Sequence, residues 1–365
     1  MIYNVKDYGA FGNGRNDDTV AIQLAVNAAA TTGGTVLAPR GTYIFSASIL
    51  LPDRVTLTGV GMGQTIFRLA DNHSQNMIGM IRTPYGRGTR NVSLRDMTLD
   101  GNRDNQTGGQ QVGFYCGVIP GQSLSDYDIS ACRVEIHHFR DYGFDPHEVV
   151  TRLTLTDCIA HHNGLDGFTL DGVQNGILRG CHAFNNGRHG FNVVTNSSAC
   201  LITQSMAYDN GANGFTIQNG SRATQINSCE ARGNGADGIY CVEVDQNTLF
   251  NNMVLGNLNY GIRLRGSSLT TIMGNLVRGN GQQEADRYSE IMLDDSETRP
   301  TTDCLIANNN VISEGLVRAQ YGIQETAGNG ERLQTRNAFL ANRAQGAAST
   351  NLVVSGRSTM LDGNL

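Results

Sequence analysis

Six glycines, Gly143, Gly167, Gly190, Gly214, Gly238 and Gly261, recur at intervals of 24, 23, 24, 24 and 23 residues. A period in the twenties means one supersecondary unit per repeat, and such a unit buries its apolar face only by stacking on its neighbours. Each glycine opens a short segment: GFDPH, GFTLD, GFNVV, GFTIQ, GIYCV and GIRLR. One residue on stand Phe144, Phe168, Phe191, Phe215, Ile239 and Ile262. Three residues on stand Pro146, Leu170, Val193, Ile217, Cys241 and Leu264. The positions between are mostly polar, so each segment reads as a strand with one buried and one wet face. Asn163, Asn186, Asn210, Asn234 and Asn257 precede the glycines by four residues and read as turn chemistry. The leucine consensus of leucine-rich repeats is missing. An all-β, right-handed parallel β-helix is the expected fold.

The chain has 365 residues, 45 Gly, 6 Pro, no Trp and 16% charged residues, which suits a single solenoid domain over 1–365. A formal net charge of −6 argues against general nucleic-acid affinity and leaves any acidic substrate dependent on a local basic patch. No span approaches the ~20 apolar residues of a membrane helix. The start, MIYNVKDYGAFG, lacks the regions of a signal peptide. Residues 1–45 read as an N-terminal cap and first coil. There Asn16, Asp17 and Asp18 offer capping oxygens to a helix that Val20, Leu24 and Ala28 mark by spacing and that Gly33 and Gly34 stop. Residues 100–130 break the rhythm and read as a loop over the coil face, residues 134–279 as regular coils, and residues 280–365 as irregular C-terminal coils. Of eight cysteines, Cys158, Cys181 and Cys229 share one coil position with Ser205. Buried free thiols are therefore expected in place of disulfides, and no CxxC pair suggests a metal.

Equivalent positions of successive coils stack about 4.8 Å apart, so the wet face can be read as columns. Four residues after the glycine, His147 is followed by Asp171. Two residues after it stand Asp145, Thr169, Asn192, Thr216, Tyr240 and Arg263, and Tyr142 and His189 are among those just before it. Tyr142, Asp145, His147, Asp171, Arg188 and His189 thus converge within three coils. Singly, each suits a solvated wall; together they suit proton abstraction from a carbon beside a carboxylate. In that reading Asp145, kept neutral by the nearby Asp171, donates a hydrogen bond to the substrate carboxylate, and Arg188 adds positive charge. His147 and Tyr142 exchange the proton, with His147 favoured as base because histidine titrates near neutrality.

The runs NVKDYGAFGNGRNDDTVAIQLAV, LTLDGNRDN, YGFDPHE, HNGLDGF, NNGRHGFNVVT and YGIQE resemble the catalytic modules of secreted, calcium-dependent mannuronan C5-epimerases that act on alginate. YGFDPHE is the most specific of them; NVKDYGA with its helix is shared by many pectate-lyase-like β-helices. The resemblance implies conversion of β-D-mannuronate to α-L-guluronate within the polymer. It implies catalytic roles for Tyr142, Asp145, His147 and Asp171, and substrate binding by Arg82, Arg188, His189 and Asn192. Gln110, Val242 and Thr326 stand where the family carries basic residues, so the groove is less basic than in its relatives; Arg263 and Arg265 are candidates to restore charge. Calcium is implied as cofactor without a placed site, with Asp100, Asp104, Asp126 and Asp128 as candidate oxygen ligands. Secretion, through an export signal outside this chain, an alginate or polymannuronate partner, and a monomer without nucleic-acid or membrane partners are the corresponding expectations. An alginate lyase or a bifunctional enzyme shares the first chemical step. A non-catalytic polysaccharide-binding β-helix and a tailspike-type glycoside hydrolase are the more distant alternatives.

Overall fold

The computed structural model describes residues 1–86, 88–117, 124–329 and 332–365. Residues 118–123, within the segment 100–130 read as a loop, lie outside the described residues. The chain divides into two compact units, Met1–Gly187 and Arg188–Leu365. Each is a stretch of parallel β-helix, as the glycine period predicts. Among the described residues no helix is long and apolar enough to cross a membrane.

In the first unit the helix Thr19–Ala30 packs against the first strands. Its buried face is Ile22, Ala25, Val26 and Ala29, whereas Val20 and Leu24 are 71% and 50% exposed. The spacing of Val20, Leu24 and Ala28 picked out the wrong stripe, because the small Ala25 and Ala29 complete an i, i+3, i+4, i+7 face that approaches the coil closely. Asp17 caps the helix by accepting from the Thr19 amide at 2.9 Å, while Asp18 turns back to the amides of Phe11 and Gly12. The segment 100–130 is not all loop. Phe114–Cys116 is a strand that pairs in parallel with Ile81–Arg82 on one side and Phe144–Thr156 on the other, and the strand Asp126–His137 begins inside the segment as well. Gly113-Phe114 is one more copy of the repeat. It stands 30 residues before Gly143, a spacing that hid it from the 23 to 24-residue rhythm.

The repeating glycines answer a need for room and not for an unusual φ. A Cβ at Gly143 would lie 2.7 Å from the Gly167 carbonyl and 2.9 Å from Asn163 Nδ2, and one at Gly214 would lie 2.7 Å from the Gly238 carbonyl. Neither glycine has a positive φ. Below them the apolar columns run straight. Phe144 stacks on Phe168 at 4.8 Å, and in the second unit Phe191 stacks on Phe215 at 4.8 Å. All four rings are fully buried.

In the second unit each coil contributes to three walls. One buried column runs Phe191, Phe215, Ile239, Ile262, Ile291 and Ile323. A second runs Ile202, Ile226, Leu249, Ile272, Ile306 and Phe339, and a third Ala207, Ala231, Val254, Val277, Val311 and Ala344. Strands pair beyond residue 280 in the same register, with longer loops between them. The asparagines read as turn residues are buried and build an amide ladder. Asn210 donates to Asn234 at 3.0 Å, Asn234 to Asn257 at 2.9 Å, and Asn257 to Asn280 at 2.8 Å; Asn280 ends the row on the Glu290 carboxylate at 2.6 Å. The left-handed turn residue is the one before each: Asn185, Asp209, Gly233, Gly256 and Gly279. Replacing Asn234 by Ala leaves the Asn210 backbone N–H and side-chain amide without their acceptor and Asn257 Oδ1 one donor short, at a cost of about 1–3 kcal/mol. Urea unfolding reads this, and a loss of only a few tenths would refute the ladder's role. The eight cysteines are free and seven are buried, as expected.

Candidate active site

The strands Ile81–Arg82, Phe114–Cys116, Phe144–Thr156 and Phe168–Gln174 form successive rungs of one wall in the first unit. Phe114, Phe144 and Phe168 are in register and point inward, so the residues that alternate with them face out. Arg82, Tyr115 and Asp145 are register partners in one column, and His147 and Asp171 are partners in the next. His147 Nδ1 lies 3.2 Å from Asp171 Oδ2 and 3.7 Å from Asp145 Oδ1. The imidazole is 33% exposed, against 8% and 16% for the two carboxylates. The tip of His147 can therefore meet a ligand while both acids hold it from behind.

Just past His147 the strand register shifts, and the β-branched Val149 has φ 55°. Bulges of this kind re-aim side chains, and a left-handed backbone at a β-branched residue costs about 1–3 kcal/mol. Nothing in the periodicity signalled it. Tyr115 was also missed. Its ring lies 5.6 Å from the His147 ring at 31° and meets Tyr85 edge-on at 5.7 Å. Tyr85 in turn carries the Arg82 guanidinium 3.4 Å above its centroid. Arg82, Tyr85, Tyr115 and His147 thus form a continuous row of cationic and aromatic contacts, with Tyr115 buried within it.

The electrostatics divide the two acids. Burial pushes the Asp145 carboxyl up, and the Asp171 charge adds to this while His147 opposes it. The sequence reading gave Asp171 the leading part in keeping Asp145 neutral; burial has it. The carboxylates of Asp145 and Asp171 together raise His147 to about 10. His147 is thus an imidazolium at neutral pH, and the nearer Asp171 is its counter-ion. Burial pushes the Tyr115 phenol well up, so it stays protonated. Tyr142 is half-buried immediately before Gly143.

The remaining candidates belong to the second unit. His189 Nδ1 accepts from the Asn213 amide at 3.2 Å, and Asn192, 2% exposed, accepts from Gln218 at 2.9 Å. Arg188 opens the unit. Arg263 is committed to a bidentate pair with Asp294, with Nε–Oδ1 3.1 Å and Nη2–Oδ2 2.5 Å, and packs over Tyr260. It brings no uncompensated positive charge, so the expectation that it restores a basic groove fails. Arg265 donates only a long bond to the Asp295 carbonyl, 3.4 Å.

The four acids considered for calcium do not form an oxygen cage. Asp126 is fully buried and accepts from Thr83 Oγ1 at 2.6 Å and from the Thr89 and Gly117 amides. Asp128 holds Arg152 through both oxygens at 2.7 Å. Asp104 is exposed, and Asp100 faces Arg68 and His137 at 3.6 Å each. These residues do not fit a calcium site, and no step below runs through the ion.

Residues 2–206 match the family described as rhamnogalacturonase A/epimerase, pectate lyase-like, and residues 166–355 match periplasmic copper-binding protein (NosD). The class is therefore that of pectate-lyase-like β-helices. The structure also superposes on the A-module of mannuronan C-5 epimerase AlgE6 from Azotobacter vinelandii with a TM-score of 0.91 and 34% identity, covering 100% of this chain and 98% of that one. The chain belongs to the mannuronan C5-epimerase A-module family. Mannuronan C5-epimerase AlgE4 of the same organism is 47% identical over 205 residues, 54% of this chain and 37% of that protein. Alginate lyase 7, again from Azotobacter vinelandii, is 44% identical over 205 residues, 54% of this chain and 24% of that protein. The chain spans well under half the length of these curated relatives.

Proposed function

We propose that this chain is a mannuronan C5-epimerase, converting β-D-mannuronate to α-L-guluronate in polymeric alginate. The observation that carries the reading is the imidazole of His147, clasped by two carboxylates on adjacent rungs and exposed at its tip. Removing the C5 proton builds charge beside a substrate carboxylate that is already negative. Asp145, whose carboxyl burial already pushes up, takes up a proton when the substrate carboxylate arrives beside it and donates a hydrogen bond to it; Asp171 then remains the counter-ion of the His147 cation, which stabilises the enediolate electrostatically. Because His147 starts protonated, it is the donor: Tyr142 first gives its phenolic proton to water, its oxygen then takes the C5 proton from one face, and His147 gives its proton to C5 from the other. The cycle leaves a phenol and a neutral imidazole, which exchange protons with water before the next turn. This reverses the assignment of His147 as base. Arg188, His189, Asn192 and Arg265 remain candidates for polymer binding.

Four outcomes follow from these assignments. Asp145→Asn, which keeps a neutral donor, loses about 10-fold or less in kcat, whereas Asp145→Val loses about 100-fold or more; equal losses would contradict a protonated Asp145. The pH profile shows no rise centred on 6.5, where a free imidazole base would titrate, and activity is lost once the pH passes about 10 and His147 has given up its proton. The stabilising contribution of the same group has the same sign: it is complete below its unfolded value of 6.5, declines above that, and is gone once the pH passes about 10. A rise in kcat/KM centred near 6.5 would restore His147 as base. Arg82→Ala, which removes a positive charge two rungs from Asp145, raises KM more than it lowers kcat.

Lyase activity is the second reading, favoured by the similarity to alginate lyase 7. The same enediolate expels the C4 oxygen when that oxygen is protonated instead of C5. Incubation with polymannuronate, with and without calcium, separates the cases. Guluronate signals in the proton NMR spectrum support epimerisation; ultraviolet absorbance from unsaturated ends shows elimination. Neither signal under either condition would leave a binding module and overturn the proposal. A secreted monomer that requires calcium completes the reading by family resemblance.

A further inference from the structure

A second group of histidines lies on another wall of the first unit. Asp100, His137, His161 and Phe184 are register partners on successive rungs. His138 and His162 each follow the strand residue and occupy the left-handed turn position, φ 55° in both. At the same position other coils carry Asn185, Asp209, Gly233 and Gly256, the residues that turn favours most. Two adjacent coils thus give up the cheaper turn residue for imidazole. The rings are ordered in pairs: His137 Nδ1 and His138 Nδ1 are 2.7 Å apart, as are His161 Nδ1 and His162 Nδ1. His137 stacks on His161 at 5.0 Å and His138 on His162 at 5.2 Å.

An aromatic stack accounts for His137 and His161, since Phe184 continues that column at 4.7 Å. It does not account for the turn histidines, or for a carboxylate at the head of the column. Ligand atoms of Asp100, His137 and His138 all lie within 4.8 Å of one another, on half-buried side chains that line a small open pocket. We propose that Asp100, His137 and His138 bind a borderline divalent transition ion such as Zn²⁺ or Ni²⁺, apart from the candidate active site and from any calcium. Two imidazoles and one carboxylate suit such ions and leave positions open for water. Glu135, which His161 approaches at 3.3 Å, holds the ring that stacks on His137. Two Nδ1 atoms at hydrogen-bonding distance share one proton between them; coordination through both sends it to a ring Nε2 or to water. Arg68 and Arg103 border the same pocket. Their charge weakens attraction for hard cations and leaves selectivity to the imidazoles. The cluster precedes residues 166–355 and is independent of the copper-binding family match.

Calorimetric titration of the chelator-treated chain with Zn²⁺, and separately with Ni²⁺, tests this in excess calcium and without substrate. Saturable one-to-one binding that calcium does not displace is expected. His138→Asn, which installs the turn residue of other coils, weakens it by about 10-fold or more, and His137→Phe, which keeps the ring stack, does likewise. Absence of saturable binding by the parent chain, or binding that both variants retain unchanged, overturns the proposal. Polymannuronate turnover is not the readout, so the result stands apart from the proposed epimerase activity.

Discussion

Replacing His147 by Gln is expected to abolish measurable epimerisation, lowering kcat by about 10²–10⁴, or roughly 3–5 kcal/mol of barrier. Gln keeps a polar group between Asp145 and Asp171 but can neither carry charge nor deliver a proton. The fold should survive, because the imidazole is 33% exposed and the buried Phe144 and Phe168 stack beneath it is untouched. The proposed roles add a sharper expectation. In deuterated water the variant still lets Tyr142 take the C5 proton and return a deuteron to the same face. Mannuronate should therefore gain deuterium at C5 while guluronate does not form. A variant with near-normal turnover, or one that forms guluronate at all readily, would remove His147 from the chemistry.

Tyr142→Phe carries the second large effect, again about 10²–10⁴ in kcat, with KM little altered. Here the exchange should vanish together with the product, since the group that opens the C5–H bond is gone. The asymmetry between the two variants assigns acid and base in a way that two equal losses of rate would not. Combining them should cost little more than either alone, because the two transfers belong to one reaction and losing either already stops turnover. Exchange that persists in Tyr142→Phe and stops in His147→Gln would invert the assignment.

The columns that make the coil were legible because a strand's period of two survives any change of coil length. Phe144, Phe168, Phe191, Phe215, Ile239 and Ile262 are all fully buried, and Cys158, Cys181 and Cys229, at one coil position, are buried free thiols. The pairing of His147 with Asp171 followed from the same counting and is the observed register. What escaped the sequence escaped for definite reasons. Tyr115 lies on a rung set off by 30 residues from the next, so a search for 23 or 24 passes over it. Arg263 looks like available charge until Asp294, 31 residues on, folds against it. The protonation of His147 depends on distances to two acids and on its own burial, none of which a spacing contains. The helix face was misjudged because size was ignored: Ala25 and Ala29 are buried where Val20 and Leu24 are not.

In the proposed reaction C5 of mannuronate loses its proton to one face of the ring and regains one from the other, served by Tyr142, Asp145, His147 and Asp171. Polymannuronate incubated with the chain in deuterated water, followed by proton NMR, tests this most directly. The predicted result is guluronate that carries deuterium at C5, with few or no unsaturated ends. Guluronate that retains its original C5 hydrogen, or a polymer unchanged in both configuration and isotope, would contradict it.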